Sequence, residues 1–309
     1  ISVRVVQCEG VTIVVGAVTG HLDSGRTDPR VGVITMTEEP RFKFGKNWQN
    51  FLESISDEQL RNASSALSNL LDAESLEDES FLDAGCGSGI VSLAARQLGA
   101  ERIHSFDYDK DSVEATRTLH SSSTSADDWT VEQGSLTDAD YLSKLGRFDT
   151  VYSWGVIHHT GAMWQVAESL PSLINPGGRL IVAIYNDQGT LSSLWRIIKK
   201  VYVKSPSPVQ LAIAGVYFLL ASTARTVKNL ITLHSFRRTR SRGMSGWHDA
   251  VDWVGGYPFE VASRKQVTDF FESKGFTTEK VLSVGSRQGC NQFVFRAQSS
   301  PMAEVQSKQ

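Results

Sequence analysis

The stretch Phe81 to Gly89, FLDAGCGSG, sets an acid, Asp83, ahead of Gly85, Gly87 and Gly89 at alternate positions. Glycines so spaced let a backbone bend sharply and approach a ligand, which a Cβ would prevent. Alone, a GxGxG is a weak signal. Farther on, SFDYD closes a second apolar run with Asp107, where a carboxylate can accept from both hydroxyls of a ribose. His158 and His159 stand together in FDTVYSWGVIHHT, and His248 precedes Asp249 in the aromatic segment GMSGWHDAVDWVGGYPFE, which reads as a substrate-pocket loop or a locally packed flap. A neutral imidazole titrates in the range needed to take a proton from a hydroxyl. No spacing of His, Cys and carboxylates resembles a metal site. Cys8, Cys86 and Cys290 are too few for a disulfide framework, which points to a reducing, cytoplasmic setting.

Such residues need strands to deliver them and helices to back them. Apolar runs predict strands at Ser80 to Ala84, Arg102 to Phe106, Trp129 to Glu132, Thr150 to Ser153 and Arg179 to Ile184. Helices are expected between them at Ile90 to Leu98, Lys110 to His120, Ala139 to Leu145 and Ala162 to Leu170. That alternation predicts a parallel sheet covered on both faces, with the ligand beyond the carboxyl ends of the strands. Ahead of it, the aromatic run Phe42 to Trp48 precedes helical stretches at Trp48 to Ser54 and Asp57 to Leu71, a layer that its aromatics would staple to the sheet. Residues 1–35 are expected to be a poorly ordered extension, 36–297 the domain, and 298–309 a flexible tail.

The order FLDAGCGSG, SFDYD, FDTVYSWGVIHHT and LINPGGRLIVAIYN, from Phe81 to Asn186, resembles the class I S-adenosylmethionine-dependent methyltransferases. Within that class it looks most like the small-molecule enzymes of the ubiquinone-biosynthesis type. The resemblance implies an α/β fold: a doubly wound, mostly parallel seven-stranded sheet with an N-terminal helical layer that would lid the cofactor and substrate if it is not merely stapled to the sheet, a helical insertion after the fifth strand and a closing antiparallel pair. It implies S-adenosylmethionine as cofactor. Asp83 is then expected at its cationic amino group, directly or through water, with Gly85, Gly87 and Gly89 along the methionyl part. Asp107 is expected at the ribose and Tyr108 against the adenine. Gly134, Ser135 and Leu136 stand where the class has a Gly-Asp pair beside the adenine. Ser153 and Trp154 would border the methionyl moiety, and His158, His159 or His248 would serve as the base.

The chain has 309 residues, 40% of them hydrophobic, and a net charge of −3, which argues against wholesale nucleic-acid binding. From Gln188 to His248 there is no acid but ten cations. These interleave with Leu, Ile, Val and Phe, unlike the polar stripe of an RNA-binding face. Within residues 187–262, LSSLWRIIKKVYVK predicts an amphipathic basic helix, SPSP its break, and the run to Ile231 a second, very apolar helix. Its dense apolar part, Leu211 to Ala221, is short for a membrane span. Residues 191–231 are therefore expected either to lie on an anionic membrane through outward cations such as Lys199, Lys200 and Lys204, making the protein peripheral, or to cap the pocket with those charges on the outer side. The acceptor is expected to be a small, lipophilic molecule methylated at oxygen. C- or N-methylation, an RNA acceptor and a non-catalytic binding role are the alternatives.

Overall fold

The computed structural model describes residues 3–8, 11–16, 41–42, 45, 57–121, 128–231 and 246–299, in two compact units, Ile1–Pro40 and Arg41–Gln309. In the first unit, β1 (Val3–Cys8) and β2 (Val11–Gly16) pair antiparallel, with Cys8 opposite Val11. The expected extension thus contains a strand pair. Its signal was two Val-rich runs separated by Glu9-Gly10.

The second unit carries α1 (Asp57–Leu71), whose Leu67, Leu70 and Leu71 recur at helical spacing and are buried. The expected helix at Trp48 to Ser54 lies outside the described residues. Strand and helix then alternate: β3 (Ser80–Ala84), α2 (Ile90–Gln97), β4 (Arg102–Asp107), α3 (Lys110–Ser121), β5 (Trp129–Gln133), α4 (Ala139–Leu145), β6 (Phe148–Trp154), α5 (Met163–Ser169) and β7 (Ile174–Tyr185). β7 starts earlier than predicted. Phe148 pairs with Ile174, and the register then shifts so that Thr150 meets Arg179. Pro176, which has no N–H for a ladder, and the glycines after it suit such a bulge.

After β7 come α6 (Thr190–Lys204), α7 (Ser207–Ile231), α8 (Gly246–Gly255), α9 (Arg264–Ser273), β8 (Phe276–Leu282) and β9 (Cys290–Ala297). Ser263 and Gln266 form a capping box that starts α9. The seven strands lie in the order β5-β4-β3-β6-β7-β9-β8, all parallel except β9, which runs against both neighbours. Alternation along the strands puts Leu82 and Phe106 in one apolar layer and Phe81 and Ile103 in the other. Every residue of β3 is buried, as befits a central parallel strand.

The insertion departs from expectation in three places. GWHDAVDWVG is the helix α8, not a loop. α7 is continuous, and its uncharged stretch Ser207–Ala224 is long and apolar enough to cross a membrane by length and composition, with only 6% of it buried. Lys199, expected among the outward cations, is fully buried. Ser192, Lys199 and Tyr202 are the buried residues of α6, and that spacing of two helical turns and then one puts the lysine on the inner face. There it donates to Trp253 O, near the end of α8, and lies 4.4 Å from the Trp253 ring, 4.8 Å from Phe259 and 5.7 Å from Tyr185.

Candidate functional site

β3 and β6 are neighbours from which the chain winds outward in opposite directions, so the loops after them flank the crevice where α/β sheets bind ligands. In the loop after β3, the N–H groups of Gly85 and Cys86 donate to Phe106 O at 2.8 and 3.0 Å. Gly85 has φ +92°, and a Cβ there would lie 2.4 Å from Val156 Cγ2. Gly89 has φ +76°, and a Cβ would lie 2.7 Å from Thr116 Cγ2. At these two positions the space freed by glycine is taken by protein neighbours, where the spacing alone suggested a ligand. Thr116 Oγ1 also stands 3.2 Å from both Cys86 Sγ and Gly87 O, tying the loop to α3, a role with no signal in the sequence. Burial pushes the Cys86 thiol well up, so it stays protonated.

Two carboxylates face this loop. Asp83 is 2% exposed and accepts from Ser92 Oγ at 2.5 Å; burial pushes its pKa up to about 7. Asp107 is half-buried and accepts from Gly87 N at 3.0 Å and Asp109 N at 2.8 Å. Burial, opposed by those two backbone bonds, pushes it up to about 6. Among the described residues neither acid has a cation in an ion pair. Tyr108 is 49% exposed, with the Arg41 guanidinium over its ring at 5.1 Å. Arg41 also donates to Thr160 O at 2.9 Å, Phe42 N to Tyr257 O at 3.1 Å, and Gly45 N to Asp109 Oδ2 at 3.1 Å. The described part of the aromatic N-terminal run therefore reaches from the end of β4 to the turn after β6. Phe44 and Trp48 lie outside the described residues.

Gly134 N donates to Asp107 O at 3.0 Å, and the Tyr141 ring fills the place of its Cβ. Ser135 Oγ lies 2.8 Å from Thr137 Oγ1, and Leu136 sits in the main core at 6% exposure. Ser153 is buried and donates to Ala84 O at 3.1 Å, while Trp154 stacks on Tyr152 at 5.8 Å. A separate recess, lined by Glu77, Asp78, Arg96, Glu101 and Asp128 among others, opens at the amino-terminal side of the sheet, away from these residues.

The histidine pair occupies a turn of 3₁₀ helix, Ile157–His159, beyond β6. His158 is fully buried, its ring 4.1 Å from Tyr185 and 4.4 Å from His159. His159 is half-buried, and its Nδ1 lies 2.7 Å from Pro258 O. A carbonyl only accepts, so Nδ1 carries the hydrogen and Nε2 the lone pair. Burial, reinforced by the Lys199 cation, pushes the His159 pKa down to about 3, so the ring is neutral at working pH. Tyr185, Trp253 and Phe259 continue an aromatic wall from these rings; Tyr185 and Phe259 were not singled out by the sequence. His248 lies in α8, and its side chain is outside the described residues.

Two carboxylates with no cation in an ion pair among the described residues suit a ligand such as S-adenosylmethionine, which carries an ammonium, a sulfonium and a ribose diol. Residues 75–233 match the family described as "Methyltransferase domain". The chain is 32% identical over 114 residues to the ribosomal protein L11 methyltransferase of Methylococcus capsulatus, a match covering 37% of this chain and 36% of that protein. It is 28% identical over 122 residues to the tRNA U34 carboxymethyltransferase of Idiomarina loihiensis, covering 38% and 37%. The chain thus spans little more than a third of these curated relatives. In structure it resembles PKMT2 of Rickettsia typhi, with a TM-score of 0.52 and 15% identity over 85% of this chain and 55% of that one. With the family matched over half its length and the strand order described above, the chain belongs to the methyltransferase-domain family and has the class I architecture that takes S-adenosylmethionine as methyl donor.

Proposed function

We propose that the protein methylates a small, lipophilic acceptor at oxygen. The carrying observation is the geometry of His159, its tautomer fixed by Pro258 O, at the edge of the wall formed by Tyr185, Trp253 and Phe259. Those rings favour an apolar or aromatic acceptor, and Nε2 of His159 takes the hydroxyl proton. On the cofactor side, Asp83 holds the amino group, and the loop of Gly85, Gly87 and Gly89 with Ser153 and Trp154 borders the methionyl part. Asp107 takes the ribose, and Tyr108, Gly134, Ser135 and Leu136 surround the adenine. S-adenosylmethionine supplies an electrophilic methyl group on sulfur.

The relatives act on a ribosomal protein and on a tRNA by name, which gives a second reading for the acceptor. Incubation with methyl-labelled S-adenosylmethionine and separate pools of lipid extract, small phenols and hydroxy acids, ribosomal protein and tRNA separates the two. Label entering the organic phase supports the small lipophilic acceptor. Label precipitating with protein or tRNA overturns it.

The cofactor roles are tested apart from the acceptor. Asp107→Ala removes a charged acceptor, so calorimetry should find S-adenosylmethionine bound about 1.5–3 kcal/mol more weakly, roughly 10- to 150-fold in Kd. Unchanged affinity would remove Asp107 from the site.

The finer partner reading concerns α6 and α7. Leu194, Ile197, Val201, Leu211, Val216, Leu219 and Leu220 are each more than half exposed, beside Lys200 and Lys204. An apolar face with cationic flanks suits the interface of an anionic bilayer, where each engaged cation contributes about 1 kcal/mol. In sedimentation with phosphatidylglycerol vesicles the protein should bind, less so at high salt, and Lys200→Glu with Lys204→Glu should release it. Lys199, being internal, drops out of that test. Absence of binding at every lipid composition leaves the two helices as a cap over the pocket.

A further inference from the structure

Beneath the glycine loop a line of hydrogen bonds crosses the apolar layer between α2 and the sheet. Trp129 Nε1 donates to Ser105 Oγ at 2.8 Å, Ser105 Oγ and Ser92 Oγ are 2.8 Å apart, and Ser92 Oγ donates to Asp83 Oδ2 at 2.5 Å. All four residues are buried, from 0% exposed at the two serines to 4% at Trp129. Sheet register builds the line, because Ser105 of β4 is the ladder partner of Asp83 of β3. Side chains paired in this way point to the same face, here the one covered by Ser92 of α2.

The direction of the line is fixed by chemistry. An indole N–H can only donate, so Ser105 must accept from Trp129. Ser92 spends its single hydrogen on Asp83, which leaves Ser105 to donate to Ser92. Three donors in series therefore point at one carboxylate, each polarising the next. If Asp83 were protonated and donated to Ser92, the serines would have to turn around. Ser105 would then receive from Ser92 and Trp129 together, and its own hydrogen would lose its place in the line. A proton on the other oxygen of Asp83 would leave the line in place but weaken its last bond, which is no longer charge-assisted, so in either case the line favours an ionised Asp83.

We propose that Trp129, Ser105 and Ser92 are positioning residues that hold Asp83 ionised, and so set the pH down to which the protein grips the cationic amino group of its cofactor. The second half of this statement rests on the placement of Asp83 at that amino group. The titratable groups around Asp83 are Asp107, which opposes its ionisation, Cys86, whose thiol burial and the two acids hold protonated, and Tyr152, its ladder partner on β6.

The ionisation of Asp83 can be followed in the free protein by the carboxyl ¹³C resonance of labelled aspartate. Losing the charge-assisted bond in Ser92→Ala should raise its midpoint by about one to two pH units, and Ser105→Ala or Trp129→Phe by about half to one. Trp129→Phe keeps the ring's bulk and Ser105→Ala removes only one atom, so two mild variants report independently. An unmoved midpoint in both overturns the relay. Calorimetry against pH tests the placement separately. Affinity for S-adenosylmethionine and for S-adenosylhomocysteine, which share the ammonium, should fall as Asp83 protonates, and the step at the Asp83 midpoint should be absent in Asp83→Asn, leaving only the lower step that belongs to Asp107. If the variants move the carbon resonance but not the pH at which both ligands weaken, Asp83 does not hold the amino group, and the proposed link to cofactor binding fails.

Discussion

A His159→Gln enzyme turns over roughly a hundredfold or more slowly than wild type while binding S-adenosylmethionine equally well, the usual loss when a general base is removed. Gln keeps a polar side chain of similar reach but has no basic nitrogen, so cofactor contacts on the other side of the crevice are untouched. The bond from Nδ1 to Pro258 O decides the tautomer, leaving Nε2 as the basic atom. The pH profile carries a sharper expectation. Because burial holds His159 at about 3, its ring is already neutral at pH 5, and the imidazole adds no acid limb to turnover between pH 5 and 8. An acid limb near 6.5 that disappears in His159→Gln would contradict the enclosed ring described here. Wild-type turnover in the variant, measured by label transfer to the acceptor, would leave orientation as the whole catalytic contribution.

Lys199→Met makes the protein more stable at pH 7, by about 2–4 kcal/mol, despite losing the bond to Trp253 O. Burial pushes the lysine from its usual 10.5 down to about 7, with Asp252 opposing. A lysine whose folded-state pKa lies below its unfolded value binds fewer protons when folded between those two pH values. Wild-type stability therefore rises with pH from about 7 to about 10.5, and below 7 the cost of the buried charge is fully present. Methionine of similar length carries no such cost, so the two proteins should converge as pH approaches 10.5. Urea unfolding at pH 7 and pH 10 reads this directly. A variant less stable at both pH values would show that the rings of Trp253, Phe259 and Tyr185 repay the desolvation of the ammonium in full.

What the sequence made legible was what lies close along the chain. The run from Phe81 to Gly89 and the acid at Asp107 state a strand, a turn, a helix and a second strand end by spacing alone, and the structure has them there. The spacing of Leu67, Leu70 and Leu71 likewise marked the last turns of α1. What stayed hidden depends on register or distant packing. His158 and His159 are adjacent and alike in sequence; Pro258, 99 residues away, distinguishes them. Lys199 has the same type as Lys200, and only the docking of α8 decides which of them faces inward. Ser92, Ser105 and Trp129 carry no motif, since a line through three elements exists only once β4 is in register with β3. The helix α7 was legible to its end at Ile231, but its apolar reach was underestimated, because Gln, Ser and Thr bound the dense run Leu211 to Ala221 without ending the uncharged stretch Ser207–Ala224.

The place of β9 in the sheet has a consequence for biosynthesis. β8 leaves the ribosome first, yet its sheet partner is β9, and β9 also covers the free edge of β7. Asn291 Nδ2 donates to Asn186 Oδ1 across 105 residues of chain, so the strand of this sheet that is made last closes a loop that contains the whole helical insertion. Loops of that length close late and slowly. Until they do, the nascent chain presents the edge of β7, a solitary β8 and the apolar faces of α6 and α7 together. Translation that stops before Cys290 leaves this state permanent, with an open strand edge of the kind that recruits other chains.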